Sequence, residues 1–280
     1  MSKTQDELTV RRILVALDAS RHSLAALEAA ADLAASLGSE LLGLFVEDAR
    51  LLRLAVLPGA REVSYPYTSA KRLDQARMER QLRAQAAQAR QALSEACQAR
   101  RLKWAFRVVR GEVTPEVLSA AVEADLLTLG RVSRPLDRRT RLGSTARAAT
   151  QQAPHSVLVL HRDAAMRAPA VIAYDGSDTA KRALLMAAHL ARKLGGPLSV
   201  LLLAKTADEA RRLRAEVAEW LRERQLLARY RAVRSKGRAA LAETVRSEGS
   251  GVLVIATTTL PADALQGLLE DVDCPVLLVR

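Results

Sequence analysis

Between Gly130 and Thr145 the chain carries small and hydroxyl-bearing residues at a spacing that suits an anion. Gly130-Arg131-Val132-Ser133 is followed, nine residues on, by Gly143-Ser144-Thr145, which opens a helical stretch. Glycines let a backbone approach phosphate closely. The hydroxyls of Ser144 and Thr145 donate hydrogen bonds, and the amides and dipole of a helix N-terminus favour negative charge. Arg131, Arg134, Arg138, Arg139, Arg141 and Arg147 crowd the same stretch, a density that suits a polyphosphate or, equally, a solvated face. Asp18, at the end of the apolar run ILVAL (13–17), is placed to bind a ribose or base, or simply to cap the helix that follows.

No Ser/His/Asp or Cys/His set for nucleophilic catalysis accompanies this loop. The two cysteines, Cys97 and Cys274, lie far apart without a CxxC, and the four histidines fall in no zinc-type spacing, so neither a structural metal nor a disulfide framework is expected. His22 and His155 lack a partner carboxylate or nucleophile and read as surface or turn residues, and Cys97 as an unreactive helix residue. Phosphoryl transfer needs a carboxylate to position a metal and a group to orient the attacking water; besides Asp18 the loop offers only Asp137. No catalytic residue is assigned, and binding rather than turnover is the expectation.

The elements that must position these residues are revealed by an internal repeat. The segment ILVALDASRHSLAALEAAADLAASLGSELLGL (13–44) reappears at 170–201 with a constant offset of 157, pairing Asp18 with Asp175, Ser20 with Ser177, Leu27 with Leu184 and Gly38 with Gly195. Each copy opens with a short continuous apolar run, the pattern of a strand buried on both faces. It passes through Asp and small residues into a helix with apolar positions three to four apart, which stops at glycine. A second apolar strand follows, LLGLFV or LSVLLLA, and strand–helix–strand without a hairpin turn implies a right-handed parallel crossover. The alternation continues to five strands in each copy, so the fold class is α/β: two doubly wound, Rossmann-like, five-stranded parallel-sheet domains in tandem, 9–162 and 168–280, joined by a short linker (161–167).

Changes in the repeat offset locate the differences between the copies. By the fourth strand it has fallen to 126, pairing Gly130 with Ala256, so the first copy holds about 31 extra residues, expected within 46–83. They include the apolar stretch LLRLAVLP (51–58), suited to packing on the partner domain, to a lid or to an apolar ligand. By the fifth strand the offset is 119, pairing Val157 with Val276, so the second copy has lost about seven residues in the very loop that carries the glycines of the first. With Ala256-Thr257-Thr258-Thr259 in place of Gly130-Arg131-Val132-Ser133, the second domain is expected to have no phosphate site despite Asp175-Gly176-Ser177.

Together, the opening strand with Asp-x-Ser, ADLLTLG leading into Gly-x2-Ser-x9-Gly-Ser, and a terminal apolar strand after proline resemble the universal stress protein family in its tandem-domain form, over essentially the whole chain. In that family the loop reads Gly-x2-Gly-x9-Gly-(Ser/Thr), and members that carry it bind ATP. The resemblance therefore implies a nucleotide site at Asp18, Gly130, Ser133, Gly143, Ser144 and Thr145, with ATP, with or without magnesium, as the ligand; Ser133 stands where the family has its second glycine. It also implies pairing of the fifth strands, which makes the tandem a covalent pseudo-dimer with further homodimerisation open, and a role in stress response.

Composition narrows the partners. Hydrophobic residues make up 49% and aromatics only 3%, which points to cores of Leu, Val and Ala. The formal charge of +12 would ordinarily suggest nucleic acid. Here it is mostly arginine spread over helices with almost no interleaved aromatic residues for stacking, which argues against that partner. No run of eighteen apolar residues and no leader-type N-terminus is present, which argues against a membrane and places the chain in the cytoplasm. Three functions remain in competition: a nucleotide-binding regulator, a slow ATP-hydrolysing enzyme, and a ligand-free interaction protein.

Overall fold

A computed structural model of the 280-residue chain describes residues 9–57, 61–63, 70–72, 74–131, 142–160, 165–233, 237–249 and 251–280. In the first half the order is β1 (Arg12–Leu17), α1 (Arg21–Leu37), β2 (Glu40–Asp48), α2 (Ala49–Val56), β3 (Arg61–Val63), β4 (Ala70–Arg72), α3 (Gln75–Arg100), β5 (Trp104–Gly111), α4 (Val113–Ala121), β6 (Leu126–Gly130), α5 (Ser144–Gln152) and β7 (Ser156–Leu160). The second half runs β8 (Ala170–Tyr174), α6 (Asp178–Leu194), β9 (Leu198–Leu203), α7 (Ala207–Glu223), β10 (Ala228–Val233), α8 (Arg238–Ser247), β11 (Val252–Ala256), α9 (Ala262–Asp271) and β12 (Val276–Val279).

The repeated residues serve as the same punctuation in both halves. Ser20 caps α1 by accepting from the Ser23 amide, and Ser177 caps α6 by accepting from Ala180. Gly38 and Gly195 end these helices at φ 68° and 70°, the left-handed conformation that a side chain resists. The second half follows the first with its insertion removed. Within that insertion the sequence pattern did not foretell a helix, yet 49–56 forms α2, which buries Leu52 and Ala55 and packs against α3 and β5 of its own domain. The expectation that 51–58 packs on the partner domain is thereby corrected for its described part, 51–57.

Among the described residues, the ten strands other than the β3–β4 pair form one sheet, ordered β10-β9-β8-β11-β12-β7-β6-β1-β2-β5. Each half is a parallel five-stranded sheet in which the first strand lies between the second and the fourth. The halves meet along one antiparallel pair, β7 with β12, in the register Val159–Val276, Leu158–Leu277 and Val157–Leu278. These strands, which each half would otherwise present at an edge, are thus consumed internally, and β5 and β10 are the outermost strands.

Two cores flank this sheet, and both cross the boundary between the halves. One is packed by α1, α3, α6 and α7, the other by α4, α5, α8 and α9, with Leu, Val and Ala dominating each. Full burial of side chains such as Leu27, Leu33, Leu158 and Leu277 stabilises the fold by about 1.5–3 kcal/mol apiece. Across one face, His189 Nε2 lies 3.0 Å from Ser36 Oγ, and the Lys193 ammonium donates to the Asp32 carbonyl, tying α6 to α1.

Candidate functional site

The reversal of strand order between β1 and β6 opens a crevice beyond their carboxyl ends, the place where open α/β sheets bind ligands. A cavity of about 280 Å³ occupies it, close to the lower end of the range for small-molecule sites. Asp18, Gly130, Gly143, Ser144 and Thr145, five of the six residues singled out from the sequence, line this cavity. Ser133 lies outside the described residues, as do Arg134, Asp137, Arg138, Arg139 and Arg141.

Each polar residue is delivered by an element terminus. Asp18 follows the last residue of β1, and its Oδ1 accepts from the Ser20 amide at 3.0 Å. The same bond joins Asp175 and Ser177 in the second half, so this turn belongs to the repeat itself. Between Asp18 and Ser20, Ala19 sits at φ 57°, a left-handed conformation costly to a residue with a Cβ; its counterpart is Gly176, at φ 80°. Gly130 ends β6 beneath the first turn of α1. A Cβ placed there would lie 3.0 Å from the Cβ of His22 and 3.1 Å from its carbonyl oxygen, so the glycine already permits a close helix–strand approach before any phosphate is considered.

Gly143 precedes α5 at φ −62°, an ordinary conformation; its carbonyl accepts from the Arg147 amide at 2.8 Å, and it offers no side chain to cap the amides of Ser144, Thr145 and Ala146. Ser144 and Thr145 follow, and the Thr145 hydroxyl lies 3.0 Å from that of Thr114, tying the start of α5 to the start of α4.

Arg131 departs from its expected role. Its side chain is 3% exposed, and its guanidinium donates to the carbonyls of Val272 (3.2 Å) and Glu270 (3.1 Å) at the end of α9. Burial pushes its pKa down against the raising influence of Asp273, Glu270 and Asp271. Both terminal nitrogens of this guanidinium thus reach the second domain, while the residue also contributes to the cavity lining. Arg147 is half-exposed and lies 3.8 Å from a Glu270 carboxylate oxygen.

Sequence reasoning missed the other wall. Leu44 and Val46 from β2, Val113 and Val117 from α4, and His22 from α1 line the cavity, so His22 is a site-lining residue and not merely a turn residue. The switch-point rule contains the signal for Leu44 and Val46, because β2 runs beside β1 and ends at the same side of the sheet. His155 precedes β7 at the opposite end of the sheet and lines a different cavity, with Thr9 and Arg280.

In the second half the connection from β11 to α9 is only 257–261, against 131–143 in the first, so the shortened loop expected there is present. Cys97 is buried in α3, and burial raises its thiol to about 11, far from a reactive thiolate at neutral pH. Among the described residues no group of three or more His, Cys, Asp or Glu is placed to hold a metal ion, and no helix is long and apolar enough to cross a membrane.

Fold and cavity define a class: a tandem of doubly wound α/β domains with a switch-point cavity in the first. A model of the universal stress protein family matches residues 9–161 and again 166–266. The chain belongs to the universal stress protein family, in a two-domain arrangement. Among solved structures it is similar to a universal stress protein from Archaeoglobus fulgidus DSM 4304, at 16% identity and a TM-score of 0.71 over 96% of both chains. A functionally unknown protein from Pseudomonas aeruginosa PAO1 aligns at 14% identity and a TM-score of 0.59, over 97% of this chain and 92% of that one. The cytoplasmic domain of a prokaryotic cation chloride cotransporter gives 14% identity and a TM-score of 0.54, over 97% and 95%. At these identities the likeness concerns the fold alone, and function has to be argued from the site. No curated protein matches the sequence.

Proposed function

We propose that the first domain, 9–162, binds a nucleotide, with ATP the ligand that its residues support best, and that occupancy serves a regulatory role in stress response in the cytoplasm. The second domain, 168–280, carries no such site in this reading. The observation that carries the proposal is the single cavity that gathers Asp18, Gly130, Gly143, Ser144 and Thr145 at the switch point.

The lining divides by chemistry. Leu44, Val46, Val113 and Val117 offer an apolar wall of the kind that accepts a planar base. The first turn of α5, with Ser144 and Thr145, offers the amides, hydroxyls and positive dipole end that suit phosphate. Asp18 is the one carboxylate among the described lining residues and already accepts a backbone bond, which supports binding without rapid turnover.

Equilibrium titration of ATP into the purified chain tests this. Saturable binding that is lost in Gly143→Asp, where a carboxylate would face the α5 N-terminus, is the expected outcome. No measurable affinity in the unaltered protein overturns the proposal. Magnesium-dependent ADP release well above background and abolished by Asp18→Ala would instead establish the enzymatic alternative.

A further inference from the structure

Arg131 and Leu142, the two described residues that flank 132–141 between β6 and α5, are both fastened to the second domain. At one end stands Arg131. Its amide donates to the Leu160 carbonyl at 2.8 Å and its carbonyl accepts from the Gly143 amide at 2.9 Å, so its main chain bridges β7 and the start of α5. Its buried guanidinium reaches away to the carbonyls of Glu270 and Val272. At the other end, the Leu142 amide donates to Glu270 Oε1 at 3.3 Å, and the Arg147 guanidinium lies 3.8 Å from the same oxygen.

One short stretch of the second domain, the last turn of α9, therefore contacts residues 131, 142 and 147, which bracket Gly143, Ser144 and Thr145. The chemistry suits the place. The last carbonyls of a helix lack intrahelical partners and carry partial negative charge, so a buried guanidinium is a matched donor for them. Removing one side would leave buried polar groups unsatisfied, which gives the contact a preferred geometry. The contact has a counterpart at the other end of the seam, where Arg280 donates to the Thr150 carbonyl of α5 at 2.7 Å.

We infer that the C-terminal end of α9 is a positioning element for the first domain's nucleotide site, with Glu270 and Arg131 as its positioning residues, so that the second domain sets the affinity of the first. The ligand in this statement rests on the reading given under Proposed function; the mechanical link does not. It also gives the second domain, whose own loop is short, a task in the site of its neighbour.

The test uses the full-length protein and two readouts. Glu270→Gln keeps the size of a side chain that is 35% exposed, so the chain should still fold; Asp263→Asn, at the exposed opposite end of α9, is the control. Without ligand, hydrogen exchange at the bonded amides of Leu142, Gly143 and Arg147 is expected to quicken by about fivefold in Glu270→Gln and to stay unchanged in Asp263→Asn, the size that turning one charge-assisted hydrogen bond into a neutral one implies. With ATP as the probe, affinity should fall by a similar factor in Glu270→Gln, and ATP should slow exchange at 268–272 in the unaltered protein. Unchanged exchange at Leu142, Gly143 and Arg147 in both Glu270→Gln and Arg131→Met overturns the inference whether or not ATP binds. If ATP fails to bind the unaltered protein while exchange quickens as expected, the nucleotide reading falls and the link between the domains stands.

Discussion

At the scale of single residues, the structure separates those that serve the fold from those that also face the cavity. Gly130 does both. Its replacement by alanine would press a Cβ against His22 at 3.0 Å, so Gly130→Ala should destabilise the protein by about 1–3 kcal/mol, read from the shift in urea midpoint. Ala19 supplies the opposite case. Held at φ 57° where the second half has Gly176, it stores strain, and Ala19→Gly should stabilise by up to about 1 kcal/mol in the same measurement. The glycine-and-hydroxyl set was legible in the sequence because its meaning is local, being carried by spacing and by a helix start. The fate of Arg131 was not, because its carbonyl partners lie about 140 residues further along and only the packed fold brings them near. Asp18 lies between these cases. Its turn could be read from Asp-x-Ser in both copies, whereas its position at a cavity follows only once β1 and β6 are neighbours.

Among the elements, the repeat made most of the helices and strands readable, since each apolar run and each glycine stop occurs twice and one copy checks the other. The helix α2 and the β3–β4 pair were not readable in this way, because the insertion has no second copy and its eight helical residues are too few for periodicity to stand out. The contact between α1 and α6 gives a prediction at this scale. Burial, followed by the neighbouring Lys193 and Arg192 charges, lowers the pKa of His189 below its usual 6.5. The unfolded chain therefore takes up a proton as pH drops through about 6.5 while the folded protein does not, and stability is lost from that pH downward. His189→Gln should flatten the decline in urea midpoint between pH 7.5 and 5.5; an unaltered slope would show that the contact bears no proton linkage. In α3, Cys97 should resist thiol reagents in the native protein and react fully only on unfolding, as a buried thiol raised to about 11 requires.

For the whole molecule, the governing feature is the seam. Because β7 and β12 pair and both cores continue across the boundary, the halves should melt together: calorimetry is expected to give one transition with equal calorimetric and van't Hoff enthalpies. Leu158→Lys, which places a charge in a fully buried seam position, should abolish that transition or lower it sharply. The seam also has a genetic consequence. In a dimer of identical chains every mutation arises in two places at once, so a change that ruins one site ruins both. Joining the two copies in a single reading frame removes that constraint, and each copy can then drift alone while its neighbour stays under selection. A loop shortened in one half and kept long in the other is the kind of divergence that such a fusion permits and a symmetric pair forbids.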